Sequence, residues 1–297
     1  MHFYAKVVHI LKILEIPQPV KFASVLLAGM HREKYIKALK SYNPSKEQNG
    51  GAEKYKIVNY HNVDFKFLIY ETDGLLTYAL HIMNDPDKLP ECIVVIIHKE
   101  EHMVQIEGVS QHMMCYTKEQ LDKLNKMKIK VSGELLMRLA LKLITEIKDK
   151  YGIKYIVLQD NSHKICKNVN LELGLMYTLL NGITWYGKFG FAPANTNNNA
   201  VNESYLGIYK KNKQIMDSIL VKDVGDLLVK YISEFDKKIN AKQMIKDKGE
   251  LKLAHFLKLL LKTNNGCALF ESFYIKLAVK IGIYNFFGKN FILVFKK

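Results

Sequence analysis

Hydrophobic and polar positions change their period along the chain, and the changes divide it into successive stretches. In residues 1–42 the apolar positions of Ala5–Ile16 fall at helical spacing and stop at Pro17 and Pro19, which predicts a helix ended by proline. His31–Lys40 predicts a short basic helix, and the polar Ser41–Glu53 predicts a linker. Residues 54–116 read as strands. Tyr55–Tyr60, Phe65–Tyr70 and Leu75–Ile82 are runs rich in β-branched and aromatic residues, separated at Asn62–Asp64 and at Asp73-Gly74. Asp-Gly between two apolar runs is a hairpin signal, because both turn residues tolerate a left-handed backbone. A second hairpin is predicted from Cys92–Ile97, a turn at Lys99–Glu101, and Met103–Val109.

Residues 117–192 alternate strand and helix. Ser132 is placed to cap a helix in which Leu135, Leu136, Leu139, Leu143, Ile144 and Ile147 share one face. Lys148 and Lys150 suit its negative end and Gly152 its stop. The strand Ile153–Leu158 follows, ended by Gln159-Asp160-Asn161-Ser162, and then a helix over Leu171–Leu180 closed by Asn181-Gly182. Beyond the low-complexity stretch Ala194–Asn202, helices are expected at Ile215–Leu220, Val224–Phe235, Leu251–Leu261 and Ala268–Ile281, and a final apolar strand at Phe291–Phe295. Alone, that strand would leave both edges unpaired, so it is expected to return to the main sheet. The apolar helices after Leu251 suit either a homodimer interface or the interior of one chain.

The organisation expected is therefore an N-terminal helical extension and linker (1–53), an α/β core (54–200), and a lysine-rich helical region whose last strand rejoins the sheet (201–297). The fold class is α+β, a mixed, mostly antiparallel sheet flanked by helices, with the helical region as a C-terminal insertion.

Composition then narrows the function. With 48% hydrophobic and 25% charged residues the chain is not disordered, collagenous or a coiled-coil rod. No run approaches the roughly 18 apolar residues of a membrane span, so no membrane association is expected. The N-terminal apolar run is short, broken by Lys6 and Lys12, and lacks a small-residue cleavage site, so no secretory signal is expected. Cys92, Cys115, Cys166 and Cys267 show no paired spacing and no zinc-ligand set, and the simplest setting is a reducing cytoplasm. The net charge of +15 comes from 42 Lys and only 2 Arg, Arg32 and Arg138. Base edges and phosphate forks favour Arg, so a solvated lysine surface is expected ahead of nucleic-acid binding. Residues 201–297 hold 18 Lys against 9 Asp or Glu, or +9 of the +15. That region is the expected contact for any protein or nucleic-acid partner.

His98-Lys99-Glu100-Glu101-His102 lacks the Glu that a zinc-protease helix carries directly after its first His, and it falls in a hairpin turn. No P-loop and no G-x-S-x-G elbow is present. His112 and Cys115 follow the second hairpin, and a buried Cys acts as a small hydrophobe. Trp185, the sole tryptophan, is expected in the core or in a pocket wall.

The succession of strands, long amphipathic helix, strand ending near Asp160, helix, and then Tyr186-Gly187-Lys188-Phe189-Gly190-Phe191 resembles the GNAT superfamily of N-acetyltransferases. The motif Y-x-K-x-G-F is matched by Tyr186, Lys188, Gly190 and Phe191. The context Gly182, Thr184, Trp185 resembles divergent members of the kind found in large DNA viruses, and the resemblance covers roughly residues 55–192 plus the last strand. It implies transfer of an acetyl group from acetyl-CoA to an amine. The cofactor loop it implies is Lys130-Val131-Ser132-Gly133-Glu134-Leu135 at the opening of the long helix, joined by the strand end at Val109. Lys130 stands where the family has Gln or Arg, and Leu135 where it has a second small residue.

Glu107, on the strand before that loop, is the implied base, with Gly108 marking where the strand splays from its neighbour. The other reading of Glu107 is a solvent-facing residue. Tyr186 is the implied acid toward the leaving thiolate, or else an aromatic that packs the helix end. Asp160 and Ser162 end the central strand on the side where open sheets bind ligands, or serve as turn and cap residues. Two further readings are a degenerate fold kept as a binding module, and a nucleic-acid-associated protein using its lysine-rich region.

Overall fold

A computed structural model describes residues 55–72, 75–80, 91–110, 115–166, 169–195 and 200–295. The helices and linker expected before residue 54, the Asp73-Gly74 turn and His112 lie outside the described residues. The chain divides into two units, one of residues 1–94 and 110–139, the other of 95–109 and 140–297.

In the first unit β1 (Tyr55–Tyr60), β2 (Val63–Thr72) and β3 (Leu75–Leu80) form an antiparallel meander. The β1–β2 turn places His61 and Asn62 at positive φ, the backbone that a tight hairpin needs to match the strand twist. Asn59 holds this turn by accepting from the Asn62 amide at 3.2 Å and donating to Asp64 at 2.7 Å. Val63, Phe65 and Phe67 alternate inward and are fully buried or nearly so. Helix α1 (Lys118–Lys126), which the hydrophobic pattern does not predict, is built on a capping box. The Thr117 side chain accepts from the Gln120 amide, and Gln120 accepts from the Thr117 amide. Gln120 also donates to the Asp64 carbonyl at 2.6 Å, tying α1 to β2. Cys92 and Cys115 form a disulfide within this unit, their Cα atoms 5.8 Å apart.

Helix α2 (Gly133–Tyr151) begins in the first unit and continues into the second. Its apolar stripe is buried as its 3.6-residue period requires, from Leu135 and Leu136 through Leu143 to Ile147. Ser132 caps it, Oγ accepting from the Leu135 amide at 3.4 Å. Gly152 ends it with φ +61, its amide donating to the Asp149 carbonyl.

The second unit carries β5 (Met103–Val109), β6 (Tyr155–Gln159), the hairpin β7 (His163–Cys166) and β8 (Val169–Glu172), α3 (Leu173–Asn181), the two-residue β9 (Ala192–Pro193) and β10 (Asn290–Val294). Strand β4 (Ile93–His98) belongs to both units. In hydrogen-bonding order the main sheet reads β1-β2-β3-β4-β5-β6-β10-β9. The fold is thus α+β with a mostly antiparallel eight-stranded sheet; β5 and β6 run parallel. The last strand does return to the sheet, antiparallel to β6 over Asn290–Val294 and to β9 at Phe291 and Ile292.

Between β9 and β10 lie α4 (Glu203–Ser218), α5 (Gly225–Phe235), α6 (Ala241–Lys248), α7 (Leu253–Leu260) and α8 (Gly266–Lys280). They share a core of Leu228, Ile232, Leu253, Leu257, Phe270 and Leu277 with Leu175 and Leu179 of α3. Most apolar residues after Leu251, such as Leu253, Phe256, Phe270 and Leu277, are therefore buried within this one chain, while Leu259, Ile275 and Val279 stay exposed. Cys166 and Cys267 form the second disulfide, Cα atoms 6.1 Å apart, which pins the β7–β8 hairpin to the first turn of α8. All four cysteines are paired. Partners 23 and 101 residues apart leave no spacing signal, because proximity is created by the fold. No helix among the described residues is long and apolar enough to cross a membrane.

Candidate active site

Two parallel strands can be joined only by a crossover, and α2 supplies it between β5 and β6. Their register pairs Met103 with Tyr155, Val104 with Ile156 and Gln105 with Val157. Both strands continue past it, β5 to Val109 and β6 to Gln159. Residues Ile106–Val109 thus leave the β5–β6 ladder just where Glu107, Gly108 and Val109 sit. An added Cβ at Gly108 would meet nothing within 4 Å. Glu107 is exposed, and one carboxylate oxygen accepts from the Gln105 side chain at 2.5 Å.

On its other side, the end of β6 is locked by backbone hydrogen bonds. The Asp160 amide donates to the Lys289 carbonyl at 2.9 Å, and the Gly288 amide donates to the Asp160 carbonyl at 2.6 Å. The Asp160 side chain turns inward, with 0% of the residue exposed. Its Oδ1 accepts from the Ser162 hydroxyl at 2.5 Å and from the Ser162 amide at 3.2 Å. Its Oδ2 has no hydrogen-bond partner among the described residues. That oxygen lies against Gly174 in the first turn of α3, where a Cβ would overlap it. Burial holds the Asp160 carboxyl above the usual carboxylate range, against the hydrogen bonds from Ser162 and the charge of His163, with Glu172 adding to the rise.

Tyr186 is buried near the same pair, close enough for the Asp160 charge to act on it. Burial, then the Asp160 charge, pushes its hydroxyl well above the ordinary tyrosine range. The matched motif residues have separable physical tasks. Tyr186 and Phe191 are buried, their ring centroids 6.3 Å apart, and Tyr186 also meets Phe291 of β10 at 6.1 Å. Gly190 ends the 3-10 turn Tyr186–Phe189 at φ +90, a conformation that side chains disfavour. The Lys188 ammonium stands 5.0–5.5 Å from the ring centres of Phe189, Trp185 and Tyr177. Trp185 is buried edge-on to Tyr186, a core position.

Around the cluster the hairpin β7–β8 leads from Ser162 into α3, whose first amide, Leu173, donates to the Ser162 carbonyl at 2.9 Å. His163 packs edge-on against Phe287 at 5.0 Å, and Asn285 donates to Glu172 at 2.6 Å. Sequence reasoning named Asp160, Ser162 and Tyr186 but not that the fold brings them near one another. Nothing in the spacing of residues 160, 162 and 186 signals it, since a hairpin and a helix intervene.

At the opening of α2, in the first unit, the implied cofactor loop can be tested for fit. Glu134 is paired with Arg138, Nε and Nη2 donating to one carboxylate oxygen at 3.1 and 2.8 Å, so its charge is countered beside a would-be anion. Leu135 is 3% exposed and turned into the core, so a large residue there does not fill the loop. Lys130 is exposed, and Val131, Ser132 and Gly133 lead into 19 residues of helix whose dipole favours an anion at this end. The residues fit a pyrophosphate.

The β4–β5 turn brings His98 Nδ1 within 3.5 Å of Glu101, but no metal-holding group of His, Cys, Asp or Glu occurs among the described residues. In the lysine-rich region Lys213 is paired with Asp217 and Lys222 with Glu250, each at 2.8 Å.

Fold and cluster together define an α+β protein with a buried carboxylate bonded to a serine, and a buried tyrosine near them, at the end of a parallel strand. Comparison of the chain with protein-family models, with curated proteins and with solved structures gives no match.

Proposed function

We propose that the chain is an N-acyltransferase that moves an acetyl group from acetyl-CoA directly to an amine. One observation carries the reading: the parallel strands β5 and β6, joined by the capped helix α2, pair over only three residues and then continue unpaired with each other. Ligands of open α/β sheets bind outside the carboxyl ends of such strands. Lys130, Val131, Ser132, Gly133 and Glu134 at the α2 opening would hold the pyrophosphate, and backbone at Val109 the arm of the cofactor. Acetyl-CoA, when bound, supplies the acetyl group as a thioester. The Glu107 carboxylate takes the proton from the attacking amine nitrogen as the N–C bond forms and the C–S bond breaks. The Tyr186 hydroxyl holds the proton that the departing sulfur requires; its raised pKa keeps it protonated at neutral pH.

The lysines of the C-terminal helices are then solvated surface. A cytoplasmic setting goes with either reading, and a protein or nucleic-acid partner for them belongs to the alternative in which the same fold binds without catalysing. Calorimetric titration with acetyl-CoA tests the choice. Saturable micromolar binding, weakened when Gly133 is replaced by a bulky residue, supports transfer. Tyr186→Phe should then lower turnover about 100-fold or more with binding unchanged. Absence of binding at millimolar cofactor rejects the transferase reading.

A further inference from the structure

Each of the two units carries one disulfide, and the two bonds differ in how easily a thiol can reach them. Cys92 and Cys115 are 0% and 2% exposed, shut inside the first unit. Cys166 and Cys267 are only half-buried. Cys267 lies in the first turn of α8 and is followed at four-residue steps by Glu271, Ile275 and Val279, all exposed, so it heads the ridge of that helix that faces solvent. Cys166 ends β7, whose other residues, His163, Lys164 and Ile165, are all exposed. Exchange requires a thiolate to reach a disulfide sulfur, so a reductant meets the outer bond first. We propose that Cys166–Cys267 is a redox latch: closed, it holds the β7–β8 hairpin on α8; opened by a dithiol reductant, it lets β7 come away while the rest of the second unit stays folded.

The packing of the hairpin makes the bond decisive. β7 and β8 form a two-stranded sheet of their own, four residue pairs from His163 with Glu172 to Cys166 with Val169. A two-stranded hairpin is marginal by itself in water. The two strands are anchored unequally. β8 buries Leu171 completely in the helical core, and Glu172 accepts from Asn285 at 2.6 Å. β7 has no buried residue. Its His163 ring meets Phe287 edge-on at one end, and the bridge at Cys166 is the covalent tie at the other. Breaking that bond therefore frees the strand that packing does not hold and leaves β8 in place. β7 begins directly after Ser162, whose amide and hydroxyl bond Asp160, so the latch stands beside the buried pair at the end of β6.

The step balances as ordinary thiol–disulfide exchange. One thiolate of the reductant attacks a sulfur of the bridge, a mixed disulfide forms, and the other cysteine leaves as a thiolate and takes up a proton. The second thiol of the reductant then displaces the first cysteine in the same way. Two electrons and two protons pass to Cys166 and Cys267, and the dithiol is oxidised to its own disulfide. The latch is independent of the acyl-transfer reading.

The test takes the full oxidised chain through a graded series of dithiothreitol. Free thiols are alkylated and located by mass spectrometry, and amide hydrogen exchange is read on the same samples. Cys166 and Cys267 are expected to be labelled at reductant concentrations that leave Cys92 and Cys115 closed. Peptides spanning β7 should then lose protection while those of β6 and α8 keep theirs, and reoxidation by glutathione disulfide should restore it. A chain with both Cys166→Ser and Cys267→Ser should show the same loss without reductant and no further change with it; if that chain does not fold, the wild-type series decides alone. Four free thiols in the chain as purified without reductant, opening of both disulfides together, loss of protection throughout the second unit, or a β7 as protected after opening as before would each overturn the proposal.

Discussion

Replacing Gly174 by alanine separates two effects of opposite sign. Position 174 is the second residue of α3 and is buried. Alanine in place of glycine in a helix ordinarily stabilises by about 0.5–1 kcal/mol. Here the new Cβ would overlap Oδ2 of Asp160, whose side chain is fully buried and held by Ser162 through two hydrogen bonds. Overpacking costs about 1–3 kcal/mol. Pushing the carboxylate off Ser162 removes a charge-assisted hydrogen bond worth about 1.5–3 kcal/mol. Either route outweighs the gain in helix propensity, so Gly174→Ala should destabilise by about 1–2 kcal/mol or more. For a unit of 150–250 residues that is a fall of about 2–8 °C in Tm. Removing the obstacle reverses the sign: in an Asp160→Ala background, Gly174→Ala should be neutral or stabilising. Urea unfolding followed by circular dichroism on the four chains of this cycle measures the coupling, expected at about 1.5 kcal/mol or above. Equal penalties in both backgrounds, or a stabilised single variant, would refute the placement of Asp160 against α3.

The disulfide Cys166–Cys267 closes a span of 101 residues, so Cys267→Ser should lower unfolding free energy by up to about 4.7 kcal/mol in denaturant titrations under oxidising conditions. A negligible change there would show the pair to be open in solution. Thr117→Ala removes half of the α1 capping box and should cost about 1 kcal/mol in the same assay, with Gln120→Ala costing more because it also drops the bond to the Asp64 carbonyl. Tyr70, Tyr116 and Tyr186 all have hydroxyls raised by burial. Their contribution to stability is complete below the unfolded tyrosine value of about 10 and is lost as pH rises toward the folded values, so stability should fall steeply above about pH 10. Tyr186→Phe should flatten part of that fall.

Strands β1 and β5 were legible in the sequence to the residue, because each is a short alternating run bounded by turn chemistry. The long helix was legible from its cap, its apolar stripe and its glycine stop. Helix α1 carried a readable signal, Thr117-x-x-Gln120, in a stretch whose apolar residues are too sparse to show a period. The hairpin β7–β8 had none. His163, Lys164 and Ile165 are all exposed, so no alternation marks β7, and the disulfide from Cys166 to α8 holds what packing does not. Helix α4 was seen only over its last turn, since Glu203–Gln214 is mostly polar and its buried Asn212 bonds the backbone of Tyr284, 72 residues away.

Local chemistry along the chain determined the elements that carry their own period, cap or turn, and the motif residues from Tyr186 to Phe191. Tertiary structure alone decided which cysteines pair, where β5 parts from β6, and that the bonded pair Asp160 and Ser162 lies near the buried Tyr186. Periodicity and capping act over one or two turns of backbone. A buried carboxylate, by contrast, acquires its partners and its pKa from groups that only the folded chain brings against it, so no spacing in the sequence encodes it.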